Sequence, residues 1–119
     1  MRLFGTLIQG LDRVLALHHE RHQVLAQNVA NAETPGYRAR DLDFGDALRR
    51  AFDPEGPSGQ ADAAREVVDR GVAVKIDRNS VDIDYEMARL SDNAMRILAL
   101  SRILGRKFAG LRRTIEEMR

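Results

Sequence analysis

The chain reads as a mainly α-helical protein. Long N- and C-terminal helices pack as an antiparallel, coiled-coil-like hairpin, joined by an extended, irregular middle that holds one short β element. Three observations lead there. Apolar residues recur at helical spacing near both ends of the 119 residues and thin out between them. Breakers punctuate the middle, first at Thr34-Pro35-Gly36 and again from Asp53 to Gln60. Opposite charges nearly cancel, with 19 Lys and Arg against 18 Asp and Glu, so neither a strongly acidic nor a strongly basic partner is implied. That length allows one domain. It divides into an N-terminal helix over 1–34, a middle over 35–81 (arm, short helix, flexible linker and short strand) and a C-terminal heptad helix over 82–119.

The first helix runs from about Leu3 to Asn31. Phe4, Leu7, Leu11, Val14 and Leu25 form its stripe, flanked by Ile8, Leu15 and Val29 and interrupted by His18, Arg21 and His22. Asn28 and Asn31 are weak helix formers whose side chains bond local backbone, which suits a helix end. Thr34, standing before proline, is pushed toward extended geometry. Pro35-Gly36 fits the two central positions of a type II turn, the second of which needs φ > 0. An extended arm carrying Tyr37 follows. Phe44, Leu48 and Phe52 lie at i, i+4 and i+8, which predicts a short amphipathic helix over Phe44–Phe52. Asp53 to Gln60 has nothing to pack and is expected to be mobile. Val72, Val74 and Ile76 alternate with Ala73 and Lys75, a strand pattern, and Asp77-Arg78-Asn79-Ser80 reads as a turn.

The last helix carries the cleanest period. Met87, Ala94, Ser101, Phe108 and Ile115 recur every seven residues, and so do Leu90, Ile97, Leu104, Leu111 and Met118. At about 32 residues the helix would be roughly 48 Å long. Asp82 or Asp84 can cap its start, and Glu86 adds favourable charge near the N-terminal dipole. Gly105 and Gly110 weaken it by roughly 1 kcal/mol each relative to alanine, and mark either close helix approach or tolerated glycines. The expected packing core is Leu7, Leu11, Val14 and Leu25 on the first helix with Met87, Leu90, Ile97, Leu104, Phe108, Leu111 and Ile115 on the last. Each such side chain is worth roughly 1.5–3 kcal/mol when buried. One two-helix seam leaves much of both stripes open, so a marginal monomer is expected whose remaining apolar surface is covered by neighbouring subunits.

Catalytic chemistry finds little footing. His18 and His22 have the i, i+4 spacing of a helical metal pair, but His19 stands where the zincin pattern needs glutamate. A polar stretch of helix surface, or an interface, explains this cluster more simply. Helix capping likewise explains Asp82, Asp84 and Glu86 better than an acid–base pair does. The C-terminal arginines are interspersed with Asp92, Glu116 and Glu117 and lack stacking aromatics, which reads as a solvated face rather than a nucleic-acid site. No phosphate-cradling glycine loop or nucleophile context is present. There is no cysteine, hence no disulfide framework. No apolar run approaches the roughly 20 residues that span a bilayer, and Met1 to Arg13 makes a poor secretory signal. The residues therefore predict a non-enzymatic protein with no metal and no cofactor.

Asn28-Val29-Ala30-Asn31 followed by Thr34-Pro35-Gly36-Tyr37 resembles the N-terminal signature of bacterial flagellar axial proteins, the rod, hook and related subunits. The continuation Arg38 to Phe44 is similar to the subunits of the proximal rod. So are Asn79 to Leu90, Asn93 and Lys107-Phe108-Ala109-Gly110-Leu111. The resemblance implies a structural subunit that assembles helically, connects the MS ring to the distal rod and transmits torque. It implies other copies, the rod subunit FlgC, the adaptor FliE, the MS ring and the type III export apparatus as partners, with no nucleic acid and no membrane span. It places the protein in the basal-body rod in the periplasm, exported without a cleavable signal. Asn28, Asn31, Thr34, Pro35, Gly36, Tyr37 and Phe44 would form the interaction motif, with Tyr37 and Phe44 anchoring the arm on a neighbour. The rival reading is a cytoplasmic helical-hairpin adaptor or regulator that binds one partner through the same stripe.

Overall fold

The computed structural model describes residues 2–52, 67–69, 76 and 78–118. In chain order the elements are helix α1 (Arg2–Ala30), strand β1 (Arg40–Leu42), helix α2 (Phe44–Ala51), strand β2 (Val67–Asp69) and helix α3 (Ile83–Glu117). The molecule measures 67 × 27 × 16 Å, an elongation imposed by the 29-residue α1 and the 35-residue α3. They run antiparallel: Asn28 meets Glu86, His18 meets Asn93, and Phe4 meets Lys107. Asp82 caps α3, its carboxylate accepting the Tyr85 N–H at 3.3 Å, with Asp84 and Glu86 in the first turn. Beyond Leu111, α3 outruns the start of α1, and Arg112 to Met118 are all exposed.

The seam between the helices uses only one of the two heptad series. Leu90, Ile97, Leu104 and Leu111 face α1, and Leu104 is buried. The companion series is Glu86, Asn93, Leu100 and Lys107, one residue earlier than the apolar pattern suggests. One residue is about 100° of helix rotation. Met87, Phe108 and Ile115, expected in the packing core, are therefore turned outward at 52%, 54% and 53% exposure, and Leu7 is likewise 41% exposed on α1. Val14 and Leu25 are buried and Leu11 half-buried. The rotation has a polar cause. It sets Glu86 against Asn28 and Asn93 against His18, and paired buried polar groups of this kind are costly to separate.

Helix α2 lies along the middle of α1. Val14, Leu17, Ala47 and Ala51 form a small core, with Phe44, Leu48 and Leu100 packed around it. The buried face of α2 thus includes two alanines beside the expected Phe44 and Leu48, while Phe52 is half-exposed as the C-cap. Arg13 donates to the Ala51 carbonyl at 3.3 Å, serving the helix end. Gly10 permits the close approach here, since a Cβ on it would stand 2.5 Å from the Phe52 ring.

Strands β1 and β2 pair antiparallel, with Arg40 opposite Asp69, Asp41 opposite Val68 and Leu42 opposite Val67. The arm is therefore one side of a two-stranded ribbon. The β element expected at Val72 to Ile76 is not where the described strand lies. Residues 72–75 are outside the described residues, as is the linker Asp53 to Gln60, and Ile76 is an exposed turn residue. Gly105 and Gly110 make no close approach among the described residues, none of which lies within 4 Å of a Cβ built on either.

Candidate interaction site at the exit of the first helix

The end of α1 is a stack of local turns. The Asn31 N–H donates to Gln27, Ala32 to Val29, Thr34 to Asn31 and Tyr37 to Thr34. The last of these, at 3.2 Å, closes a four-residue turn with Pro35 and Gly36 at its centre, and Gly36 has φ +76°. That is the type II turn the dipeptide calls for. Asn31 holds the helix side of it: its Nδ2 donates back to the Gln27 carbonyl at 2.8 Å and its Oδ1 accepts the Thr34 hydroxyl at 3.1 Å. Glu33, Thr34, Pro35 and Gly36 form an exposed tip.

Residues just before α3 complete the turn. Asn79 is fully buried, and its Nδ2 donates to the carbonyls of both Asn31 and Thr34 at 2.8 Å. Its Oδ1 accepts the Val81 N–H. The Ser80 N–H donates to the Tyr37 carbonyl, and the Ser80 hydroxyl accepts the Ala39 N–H at 2.7 Å. Val81 is buried with Ala32 and Ala39 under the Tyr37 ring.

Asn28 sits at the centre with no exposure. Its Nδ2 donates to the Arg40 carbonyl at 2.7 Å and to Glu86 Oε2 at 3.1 Å. Its Oδ1 accepts the Tyr37 hydroxyl at 3.0 Å and the Arg40 N–H at 2.9 Å. Both donors and both lone pairs of the amide are used. One side chain so ties together α1, the turn, β1 and α3. Burial pushes the Tyr37 phenol above its ordinary pKa; Arg40 opposes this and Glu86 adds to it, so the hydroxyl stays a donor.

Two further locks continue along the seam. Asp41 is buried on β1 and takes Arg21 through two bonds of 3.0 and 2.9 Å, and Arg89 at 2.6 Å. Burial alone would raise this carboxyl. Arg21, the Leu42 N–H and Arg89 together outweigh burial and hold it below its ordinary value. Farther along, His18 Nδ1 lies 2.8 Å from Asn93 Oδ1, and Asn93 Nδ2 donates to the His18 carbonyl and faces His22 Nδ1 at 3.3 Å. The His18 ring also rests on Phe44, 4.7 Å between centroids, with the Arg21 guanidinium over the same ring, 4.9 Å from its centroid.

The structure thus gathers Asn28, Asn31, Thr34, Pro35, Gly36 and Tyr37 into one site, while Phe44 lies with His18 and Arg21 at the start of α2. Both proposed arm anchors rest on their own chain: Tyr37 on Asn28 and Val81, Phe44 on His18. His18 is buried at the interface of the two helices rather than on open helix surface, and among the described residues no group of three metal-ligating side chains is assembled. Sequence reasoning assigned no contact to Asn79, Ser80, Asn93, Asp41, Arg21 or Arg89. Glu86 and Asn93 did carry a signal, as polar residues one helical turn before Leu90 and Ile97.

No protein-family model matches the chain. Curated relatives do. The flagellar basal body rod protein FlgB of Cereibacter sphaeroides is 31% identical over 117 residues, 87% of this chain and 89% of that protein. FlgB of Yersinia ruckeri is 28% identical over 124 residues, covering 89% of this chain and 90% of its own length. FlgB of Salmonella typhimurium is 27% identical over 123 residues, covering 88% and 89%. With a relative above 30% identity aligned over nearly its whole length, the chain belongs to the family of flagellar basal body rod proteins FlgB.

Proposed function

We propose that this structural subunit of the flagellar rod works in the proximal rod, where it assembles helically, connects the MS ring to the distal rod and transmits torque without enzymatic chemistry. Its partners in this reading are other copies of itself, FlgC, FliE, the MS ring and the type III export apparatus that delivers it. The observation that carries the proposal is the outward face of α3. Ile83, Met87, Leu98, Phe108 and Ile115 are exposed there, with the small residues Ala94, Ser101 and Gly105 among them. Large apolar side chains left open on one long helix suit burial against neighbouring helices, and heterologous contacts of that kind build open helical assemblies.

The test is sedimentation across a range of concentrations, alone and with other rod subunits, for the wild type, Met87→Asp and Phe108→Asp. Both positions are exposed in the isolated chain, so helix content should hold while association is lost. Association equal to wild type in both variants would refute the proposal. A closed dimer that never grows would point instead to the single-partner adaptor.

A further inference from the structure

The tip of the Thr34–Tyr37 turn belongs to the N-terminal third, yet much of what fixes its shape comes from the C-terminal third. Asn79 ties down the Asn31 and Thr34 carbonyls, Ser80 takes the Tyr37 carbonyl and the Ala39 N–H, and Glu86 meets Asn28. We propose that seating of α3 acts as a switch on the exit of α1: the turn and arm hold their single shape only while residues 79–93 are docked, and are released when α3 undocks.

The local bonds do not suffice for that shape. Without residues 79–93 the turn retains the Tyr37–Thr34 and Thr34–Asn31 bonds, and Asn28 retains Tyr37 and Arg40. Isolated hydrogen bonds exposed to water contribute little against the entropy of ordering a turn. Val81 would also leave the cluster over which the Tyr37 ring is laid. The seam couples the two events at a distance, because Asn93 on His18 and Arg89 on Asp41 hold the same helix that presents Asn79 and Ser80. Coupling of this kind is reciprocal: whatever grips the exposed tip Glu33–Gly36 also favours a docked α3. A subunit would therefore display its rigid tip only once its C-terminal helix has been delivered and seated. The switch stands apart from the proximal-rod reading, since it is a property of one chain.

Amide hydrogen exchange on the full-length monomer tests it. Leu104→Ala loosens the seam 18 residues beyond Glu86 without touching the turn. It should speed exchange at the Tyr37, Ala39 and Arg40 amides by the same factor as in the first turns of α3. Asn79→Ala should speed exchange in those turns of α3 as well as at Tyr37, by about tenfold, what one or two lost hydrogen bonds are worth. Met95→Ala, at an exposed position, should change neither. Wild-type protection at Tyr37 and Ala39 in Leu104→Ala, with α3 loosened, would overturn the proposal. So would undiminished protection of α3 in Asn79→Ala, which keeps the question answerable if Leu104→Ala fails to fold.

Discussion

His18 shows how one buried side chain acquires a measurable signature. Burial lowers its pKa first of all; the bond to Asn93 and the Asp92 carboxylate push the other way, while Arg21 and Arg96 push it down further. In the unfolded chain an imidazole takes its proton near 6.5, so below that pH the unfolded state binds more protons than the folded one. Stability is therefore complete above about pH 6.5 and falls as the solution is acidified through and below it. The ring resonances of His18 should titrate with a midpoint below 6.5 by NMR, and the urea midpoint of the protein should drop between pH 7.5 and 5.5; a ring midpoint at or above 6.5 would contradict the packing described. Asp41 acts in the same sense at lower pH. Its carboxyl is depressed in the folded chain, so its contribution is complete above the ordinary carboxylate range and is lost on acidification through and below about pH 4, and the histidine step should come first. None of this was readable from residue spacing. The i, i+4 pair His18 and His22 suggests helix surface, an interface or metal, and only the facing Asn93, 75 residues from His18, shows that His18 is buried in the seam.

At the scale of elements, what was legible was local. The type II turn follows from Pro35-Gly36 alone, and the chain supplies both the bond and the positive φ. Gly36→Val should cost about 1–2 kcal/mol of stability through its left-handed backbone, since no described residue crowds a Cβ there. Circular dichroism should show unchanged helix content and a lower melting temperature, and Gly36→Asn should lose clearly less. An equal loss in both variants would mean that the conformation of the backbone is not what matters. The helices and the Leu90-Ile97-Leu104-Leu111 series were legible for the same reason, as short-range periodicity. The facing of α3 was not. A heptad of hydrophobic residues has two candidate edges, and the choice fell to Glu86 and Asn93, whose partners lie 58 and 75 residues away in α1. The ribbon was missed similarly: Arg40-Asp41-Leu42 does not alternate cleanly, and its pairing with Val67–Asp69 is long-range.

The whole molecule is tight at one end and loose at the other. Polar locks concentrate between the turn and Asn93, whereas past Leu111 every described residue of the chain, Arg112 to Met118, is exposed. Amide protection in the monomer should accordingly decline along α3 from Glu86 to Met118, and the last two turns should gain protection on assembly. Uniform protection along α3 in the monomer would refute this polarity. The charge locks add little by area, yet they decide which apolar residues stay outside, and so which surface is left for other subunits. The family assignment was readable from the turn motif itself. The bonds that make the motif one site were not, because many of them come from Asn79, Ser80 and Glu86, more than 40 positions farther along the chain.

The antiparallel course of α1 and α3 has a practical corollary. Arg2 and Met118 emerge toward the same pole of the particle, and the Pro35-Gly36 bend occupies the other, about 43 Å from Arg2 along a helix of 29 residues and farther from Met118. A gold or fluorescent marker fused at either terminus would thus mark one and the same pole in an image, leaving the bend unobstructed; markers resolved at opposite poles would mean the hairpin opens when it is built into the flagellum.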